Sequence, residues 1–241
     1  MRKKLLPLAG LLLFAACNPF KTEIYEDNLA LALAQDSPDS LLMNISLEYV
    51  SAGLSEEAAN AINGTIVSQA FDLENMDGSL EESAIRYREN LIDEYFAENE
   101  GREGMNTWED RLEGSFSDDW NGKKNYSLSY YSFRGGPHGI MTVSCLVFDT
   151  KTGALVSEAD LFQEGYEEAL KPLLVKAVQV FLEEDDELLP LVDMESVVPN
   201  GNFNLSKEGV EWVFQPYEIG PYALGIISPI VSWTDLKPYL L

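Results

Sequence analysis

Segments with strand-like hydrophobic alternation and segments with helical hydrophobic spacing follow one another along this chain, in an order that is typical of few architectures. Alternating apolar and polar residues are typical of half-buried strands, whereas apolar residues three or four positions apart indicate helices. The strand-like segments are residues 43–49, 126–133, 140–149, 203–205, 210–215 and 226–233, and the helical segments are 55–71, 79–98 and 167–183. Because helices kept apart from hairpin-linked strands are typical of α+β proteins, we predict an α+β fold with mainly antiparallel sheets and about three helices packed against them.

Three other segments carry weaker patterns. Residues 17–40 combine mixed charge with the turn-forming run Asp36–Asp39 and predict a tether, although Leu29–Leu33 could instead begin the domain. Residues 105–124 are polar and rich in Trp, Asp and Gly, and no helix or strand is predicted there. Residues 234–239 are typical of a short capped helix.

The N-terminus has the three-part plan of an export signal. Arg2–Lys4 is basic, Leu5–Leu13 is apolar but shorter than a membrane-spanning helix, and Ala15–Ala16 directly precedes Cys17. This arrangement resembles a bacterial lipobox, with Phe14 where Leu is usual. We therefore predict a signal peptide over residues 1–16 and lipidation of Cys17, which would hold the protein to a membrane without spanning it. The alternative is an ordinary secreted protein in which Cys17 is a plain thiol.

The charge balance restricts the partners. The chain has 41 acidic and 16 basic residues and a formal net charge of −25, and removing the basic leader would make it more negative. Nucleic acids are bound by neutralising phosphates with Lys and Arg, so a nucleic-acid partner is not expected. A field of this sign would steer cationic partners, although it could also serve solubility alone. Asn18 after the lipidated cysteine is compatible with the outer membrane.

Cysteine and histidine are too few for the common metal sites. If Cys17 is lipidated, Cys145 has no disulfide partner, and its strand-like surroundings predict a buried, unreactive thiol. His138 is the single histidine, which excludes sites built from several imidazoles. We therefore expect no metal and no cofactor. Asn-x-Ser/Thr matches carry no weight in a bacterial lipoprotein.

The loop at residues 134–139 is the first candidate site. Gly135 and Gly136 allow a left-handed backbone and a close approach of the chain, Pro137 stiffens the tip, and His138 is the only side chain there with acid–base chemistry at neutral pH. A triad would need a nucleophile and an orienting acid, and no nucleophile-elbow pattern is present. A histidine that fixes the turn by hydrogen bonding is the favoured interpretation, and a catalytic base is the alternative.

The run from Gln215 to Gly225 is the second candidate. It places Pro216, Tyr217 and Tyr222 between strand-like segments, and tyrosine offers a large rigid face with one polar tip. These residues suit either a binding surface or a rigid crossover loop that covers the end of a sheet.

Taken together, these motifs resemble a known pair of bacterial envelope modules. The runs Tyr131–Gly139, Phe148–Gly153 and Asp160–Phe162 resemble the first module, in which Ala is usual where this chain has Pro137. Residues 203–205, 213–219 and 222–225 resemble the second. Such modules form the extracytoplasmic part of lysozyme-sensing anti-sigma-V factors and the non-catalytic region of PdaC-type peptidoglycan deacetylases.

The resemblance implies a PdaC-like module at residues 41–153 and an RsiV-like module at 154–241, with a non-enzymatic binding role at the cell envelope. The implied partner is a cationic lysozyme-like muramidase or peptidoglycan. The implied ligand-binding residues are Tyr131, Gly135, Gly136, His138, Pro216, Tyr217 and Tyr222. No catalytic residue is expected. The alternatives are an envelope glycan hydrolase or deacetylase that uses His138, and a purely architectural lipoprotein.

Overall fold

A five-stranded sheet forms the N-terminal part of the protein. The computed structural model describes residues 20–34, 37, 39–72, 79–101, 107–183 and 187–241. The strands are β1 (Lys21–Ala32), β2 (Ser40–Ala52), β3 (Trp108–Trp120), β4 (Lys123–Phe133) and β5 (Ile140–Asp149), and their order in the sheet follows the chain. Neighbouring strands are antiparallel except β2 and β3, which are parallel. A parallel pair needs a long crossover, and two helices supply it.

These helices, α1 (Glu56–Ala70) and α2 (Leu80–Asn99), cover one face of the sheet. Ser55 caps α1 by accepting a hydrogen bond from the amide of Ala58, and Ser79 forms the predicted capping box with Glu82 at the start of α2. The buried contacts between helices and sheet come from alternate strand residues and from one stripe of each helix: Leu41, Met43, Ile45, Leu47, Ile62, Ile66, Leu91 and Tyr95.

A second core forms around a smaller sheet. Its elements are α3 (Tyr166–Phe181), β6 (Phe203–Leu205), β7 (Gly209–Trp212), β8 (Ile230–Ser232) and α4 (Trp233–Leu236), with the antiparallel order β6-β7-β8. The buried face of α3 packs against this sheet through side chains that include Leu170, Leu174, Val178, Trp212 and Val231.

Side-chain amides and stacked rings join the two cores. Asn125 on β4 accepts a hydrogen bond from the Leu205 amide (2.9 Å) and donates one to the Leu205 carbonyl (2.7 Å), as a neighbouring strand would. The indole rings of Trp120 and Trp233 stack with centroids 4.2 Å apart. The second sheet is therefore held against the end of the first by specific polar contacts as well as by apolar packing.

The predicted fold class is confirmed, but one segment was predicted wrongly and one strand was not predicted. Residues 21–32 of the expected tether form β1, an edge strand whose charged residues Glu23, Glu26 and Asp27 conceal its pattern; edge strands tolerate such charges. Residues 105–124 contain β3, whose buried face includes Asp110 and Gly114 and so lacks regular apolar alternation. The 153/154 module boundary stays a prediction.

The predicted signal peptide and Cys17 lie outside the described residues. Among the described helices, none has the length and apolar character needed to cross a membrane.

Candidate functional site

The two candidate loops meet at one carbonyl oxygen. Tyr222, from the second core, donates its hydroxyl proton to the Gly139 carbonyl (Oη–O 2.9 Å). The same oxygen lies 3.0 Å from His138 Nδ1, and because a carbonyl can only accept, Nδ1 is the donor of this hydrogen bond. One carbonyl with two lone pairs thus fixes the histidine of the first loop and the tyrosine of the second. The structure therefore brings together residues that are over 80 positions apart in sequence.

Three rings are linked by contacts around Tyr222. The His138 and Tyr222 rings are stacked, with centroids 4.1 Å apart and planes inclined by 23°. The Tyr217 ring also packs against Tyr222, with its centroid 5.6 Å from that of Tyr222. We call His138, Tyr222 and Tyr217 the aromatic row. Its central ring is anchored, while His138 is exposed and Tyr217 is 61% exposed, so both ends are open to a partner.

Tyr217 has a backbone conformation that needs support. Its φ angle is +72°, in the left-handed region that bulky residues rarely adopt. The flanking Glu218 helps to hold the turn, because its carboxylate accepts hydrogen bonds from the Gln215 amide and from the Asn200 side chain, both at 2.7 Å. Pro216, half-buried, fixes the backbone just before. A strained residue whose ring points largely into solvent is typical of a functional position.

The buried end of the first loop rests on Tyr131. Gly139 is buried, and a β-carbon at this position would lie 2.4 Å from the Tyr131 ring. The other contact of Tyr131 is with Arg111 on the neighbouring strand, whose guanidinium carbon lies 4.4 Å from the ring centroid in a cation–π arrangement. Tyr131 therefore acts as a support beneath the loop, because a glycine at 139 lets the chain lie directly on its ring.

Gly139→Ala is expected to push the loop off Tyr131, because the new methyl group overlaps the ring and its hydroxyl. We expect a loss of roughly 1–3 kcal/mol in the free energy of unfolding, as in other overpacked sites. Thermal and urea denaturation measure it. Gly136→Ala is the matched control, because its β-carbon meets nothing closer than 3.9 Å and the change should alter stability by less than about 1 kcal/mol. Equal effects of both substitutions would contradict this packing.

A buried ion pair holds the other end of the loop. Asp110 on β3 is 1% exposed and receives both terminal nitrogens of Arg134, the residue directly before Gly135. The same carboxylate accepts a hydrogen bond from the Tyr87 hydroxyl (2.7 Å) and a longer one from Tyr130 (3.4 Å). The Arg134 guanidinium also lies over Trp108, 4.6 Å from the ring centroid.

This network raises the pKa of two of its members, Tyr87 and Arg134. Burial, and then the charge of Asp110, raise the pKa of Tyr87 far above its ordinary value. Partial burial acts to lower the pKa of Arg134, but its hydrogen bonds to Asp110 and the charge of that carboxylate outweigh this effect, and the pKa is raised. Both groups therefore keep the charge states that the network needs throughout the physiological pH range.

Side-chain amides cover the outer edge of β5 beside the second loop. Gln215 accepts a hydrogen bond from the Val143 amide (2.9 Å) and donates one to the Val143 carbonyl (2.6 Å). Asn202 accepts from the Cys145 amide (2.7 Å) and donates to the carbonyls of Val143 and Val213, both at 2.9 Å. These two residues replace a sixth strand and hold the second loop at a fixed distance from the sheet.

The structure thus places Tyr131, His138, Tyr217 and Tyr222 in one cluster. Gly135 has a φ of +79° at the exposed tip of the first loop, and Gly136 is also exposed. Sequence reasoning did not identify Asp110, Arg111, Arg134, Asn202 or Gln215 as supporting residues. Arg134, Gly139 and Gln215 were visible inside the motifs, whereas Asp110 lay in a polar segment for which no element was predicted.

Cys145 is a buried free thiol, and the described acidic residues form no cluster of metal ligands. Burial raises the pKa of the Cys145 thiol to about 12, as the predicted unreactive state requires. Within the described ranges, no three His, Cys, Asp or Glu side chains lie close enough together to hold a metal ion.

Comparison with known proteins gives a family match and a fold. Residues 159–234 match the model of a family described as "Protein of unknown function (DUF3298)". The crystal structure of a DUF3298 family member from Bacteroides fragilis has a TM-score of 0.81 and 20% identity, over 93% of this chain and 95% of that chain. A DUF3298 family protein from Pseudomonas aeruginosa gives 0.69 and 18%, over 93% and 96%. At these identities, the solved structures show a shared fold alone. No curated protein matches the sequence.

Proposed function

We propose that this chain is a lipid-anchored, non-enzymatic binding protein of the bacterial cell envelope that recognises a cationic, lysozyme-like muramidase. The proposed anchor is Cys17, the proposed location is the outer membrane, and the proposed contact surface is the aromatic row with Tyr131 beneath it. The observation that carries the proposal is the row itself. It joins three rings from two loops distant in sequence: the central ring is hydrogen-bonded to the Gly139 carbonyl, and the other two rings are exposed.

Interface chemistry supports this use of the row. Tyrosine is enriched at binding hot spots because it buries a large rigid area at a low entropy cost. Here the hydroxyl hydrogen bond already fixes the central Tyr222, so this side chain has little conformational freedom left to lose when a partner binds. The sequence resemblance to lysozyme-sensing and deacetylase-associated modules points to the same class of partner.

Charge supports a basic partner. The formal net charge of −25 would attract a cationic protein and raise its association rate, more strongly at low ionic strength than at high. Isothermal titration calorimetry with a basic lysozyme, at low and at physiological salt, is therefore the direct test. We expect binding that weakens with salt, and no heat at either salt concentration would reject this partner.

Tyr217→Asn is expected to weaken lysozyme binding by about 10- to 100-fold, because it removes a ring of the row that is 61% exposed, and hot-spot residues typically carry at least 2 kcal/mol. Asparagine tolerates the left-handed backbone, so the free energy of unfolding should hardly change. Tyr49→Ala is the control, since this tyrosine lies at the opposite end of the sheet, where it donates to Glu23. Unchanged affinity in Tyr217→Asn would remove the row from the interface.

Cell-wall glycan is the second candidate, because the exposed face and hydroxyl of Tyr217 could also stack on and bond to a sugar ring. Titration with soluble peptidoglycan fragments separates the two candidates. Glycan binding depends little on salt if the ligand is neutral, whereas binding of a basic protein depends on it strongly.

A further inference from the structure

The outer edge of β5 is partly covered by hydrogen bonds. Among the described hydrogen bonds, none engages the outward-facing Cys145 carbonyl or Val147 amide, which belong to buried residues (7% and 2% exposed), or the groups of Met141, which is exposed. The odd-numbered residues of this strand direct their backbone groups away from β4, because alternate residues of a strand face opposite edges. Outward-facing bonds are made by the carbonyl of Gly139, both groups of Val143, the amide of Cys145, the carbonyl of Val147 and the amide of Asp149.

Met141 is the residue between these bonds. By the same alternation, its N–H and C=O point outward, between Gly139, which binds Tyr222, and Val143, which binds Gln215. Among the hydrogen bonds of the described residues, none engages either group of Met141. Met141 is 42% exposed and its neighbour Ile140 is 55% exposed, so this rung is open to solvent.

The surroundings of this rung suit an extended chain. A cavity of about 560 Å³ begins at the next residue of the strand, Thr142, and its lining also includes Ser144, Asn202, Gln215 and Glu218. The Glu218 carboxylate is exposed and held in place by two hydrogen bonds, so it presents a fixed negative charge there. The aromatic row lies at the other side of the rung, because Tyr222 binds Gly139.

We propose that Met141 pairs with the main chain of an extended, basic peptide segment of a partner protein, which adds one rung to the β5 edge between the aromatic row and Glu218. Main-chain pairing at a sheet edge gives affinity, and the flanking rings and carboxylate select apolar and basic side chains at alternate positions. This proposal rests on the proposed function in one respect, because it uses the same surface, but it specifies backbone pairing and needs no lysozyme.

The test uses a synthetic, end-capped hexapeptide of alternating Val and Lys and the purified protein. In the free protein, amide hydrogen exchange measured by NMR should be faster at Met141 than at Val143 and Cys145. Saturating peptide should slow exchange at Met141, with a dissociation constant on the order of 1 mM or below. A peptide with the same side chains and N-methylated backbone amides should not bind. Absence of any change at Met141 at about 1 mM peptide would overturn the proposal.

Met141→Pro separates the backbone from the side chain. Proline is tolerated on an edge strand where its N–H would face solvent, so this variant should fold with little loss of stability yet bind the hexapeptide at least about 10-fold more weakly. Met141→Ala keeps the N–H and should retain binding within about 3-fold.

Thr142→Pro, one residue further on, removes an N–H directed toward β4 and should be strongly destabilising. If Met141→Pro unfolds the protein as Thr142→Pro does, or binds the peptide as the unchanged protein does, the outward-facing rung is wrong. Slowed exchange at Met141 with the hexapeptide but no heat with lysozyme would reject the proposed partner and leave this inference intact. Lysozyme binding without an effect of the hexapeptide would support the proposed partner and reject the pairing at Met141.

Discussion

Replacing Asp110 with alanine is expected to lower the free energy of unfolding by about 3 kcal/mol, the largest effect of any single substitution that we predict for the first core. The substitution leaves the Arg134 guanidinium without its counter-charge and the Tyr87 hydroxyl without its acceptor. Removing one partner of a buried pair typically costs about 3–5 kcal/mol. The lower end applies here because the Arg134 side chain is 35% exposed and can recover part of its hydration.

Urea denaturation measures this loss, and Glu109→Ala is the matched control. Glu109 lies next to Asp110 on β3 and pairs with Arg111 at 3.2 Å, but the two side chains are partly exposed to water, Glu109 at 34% and Arg111 at 48%. Exposed pairs contribute about 0–1 kcal/mol, so the control should be nearly silent. A loss below about 1 kcal/mol for Asp110→Ala would mean that the network does not stabilise the native state.

The same substitution should also affect binding, because Arg134 directly precedes the loop that carries His138. Without the ion pair, the loop would be tied at Gly139 alone and would lose more conformational freedom when a partner orders it. A protein that remains folded but binds more weakly at low denaturant would therefore connect the buried pair to the surface above it.

Asn202→Ala is expected to cost about 2–3 kcal/mol, the second large effect. The side chain bonds to three backbone groups: the Cys145 amide and the carbonyls of Val143 and Val213. The two carbonyls keep their bonds from Gln215 and Asn200, so the substitution leaves the Cys145 amide as the group without its partner, at a cost of about 1–3 kcal/mol, and each carbonyl loses one of its two bonds. Differential scanning calorimetry should show a lower melting temperature for the variant.

Asn28→Ala is the control for this change, since Asn28 bonds only to the side chain of Asn44 at the exposed face of the β1–β2 pair. Its effect should stay within about 0.5 kcal/mol. The Asn202 variant should also aggregate more readily than the control, because the uncovered backbone of β5 becomes an edge to which another chain can pair. Equal stability of both variants would show that solvent replaces the Asn202 bonds without loss.

Much of the fold follows from local patterns, and the failures have physical causes. The capping residues Ser55 and Ser79 and the alternation in β2 and β5 define their elements without reference to the rest of the chain. β3 escaped prediction because Asp110 occupies a core position, where only the distant Arg134 and Tyr87 make a carboxylate acceptable. Such compensation by residues far apart in sequence cannot be read from periodicity.

The candidate site shows the same division. The rings of Tyr217 and Tyr222 and the glycine loop were recognisable as motifs, and their composition indicated rigid, exposed segments. Their meeting at the Gly139 carbonyl depends on how the second core sits on β5, which Asn202, Gln215 and Asn125 determine. Amide side chains serve so many purposes on protein surfaces that their spacing gave no signal.

The parallel pairing of β2 with β3 has a consequence for how the molecule assembles. The β1–β2 hairpin and the β3–β4–β5 meander consist of local contacts, but the seam from Leu41 with Trp108 to Leu47 with Gly114 closes only after both helices have been made. Non-local closure of this kind slows folding. In a chain that emerges N-terminus first, the β1–β2 hairpin can form before β3 is present. Until β3 pairs with it, the hairpin exposes one hydrogen-bonding edge and the apolar side chains between Leu41 and Leu47. During that interval a chaperone would have the largest exposed apolar surface to bind, and the unpaired edge of β2 would be the part of the molecule most prone to mispairing with another copy.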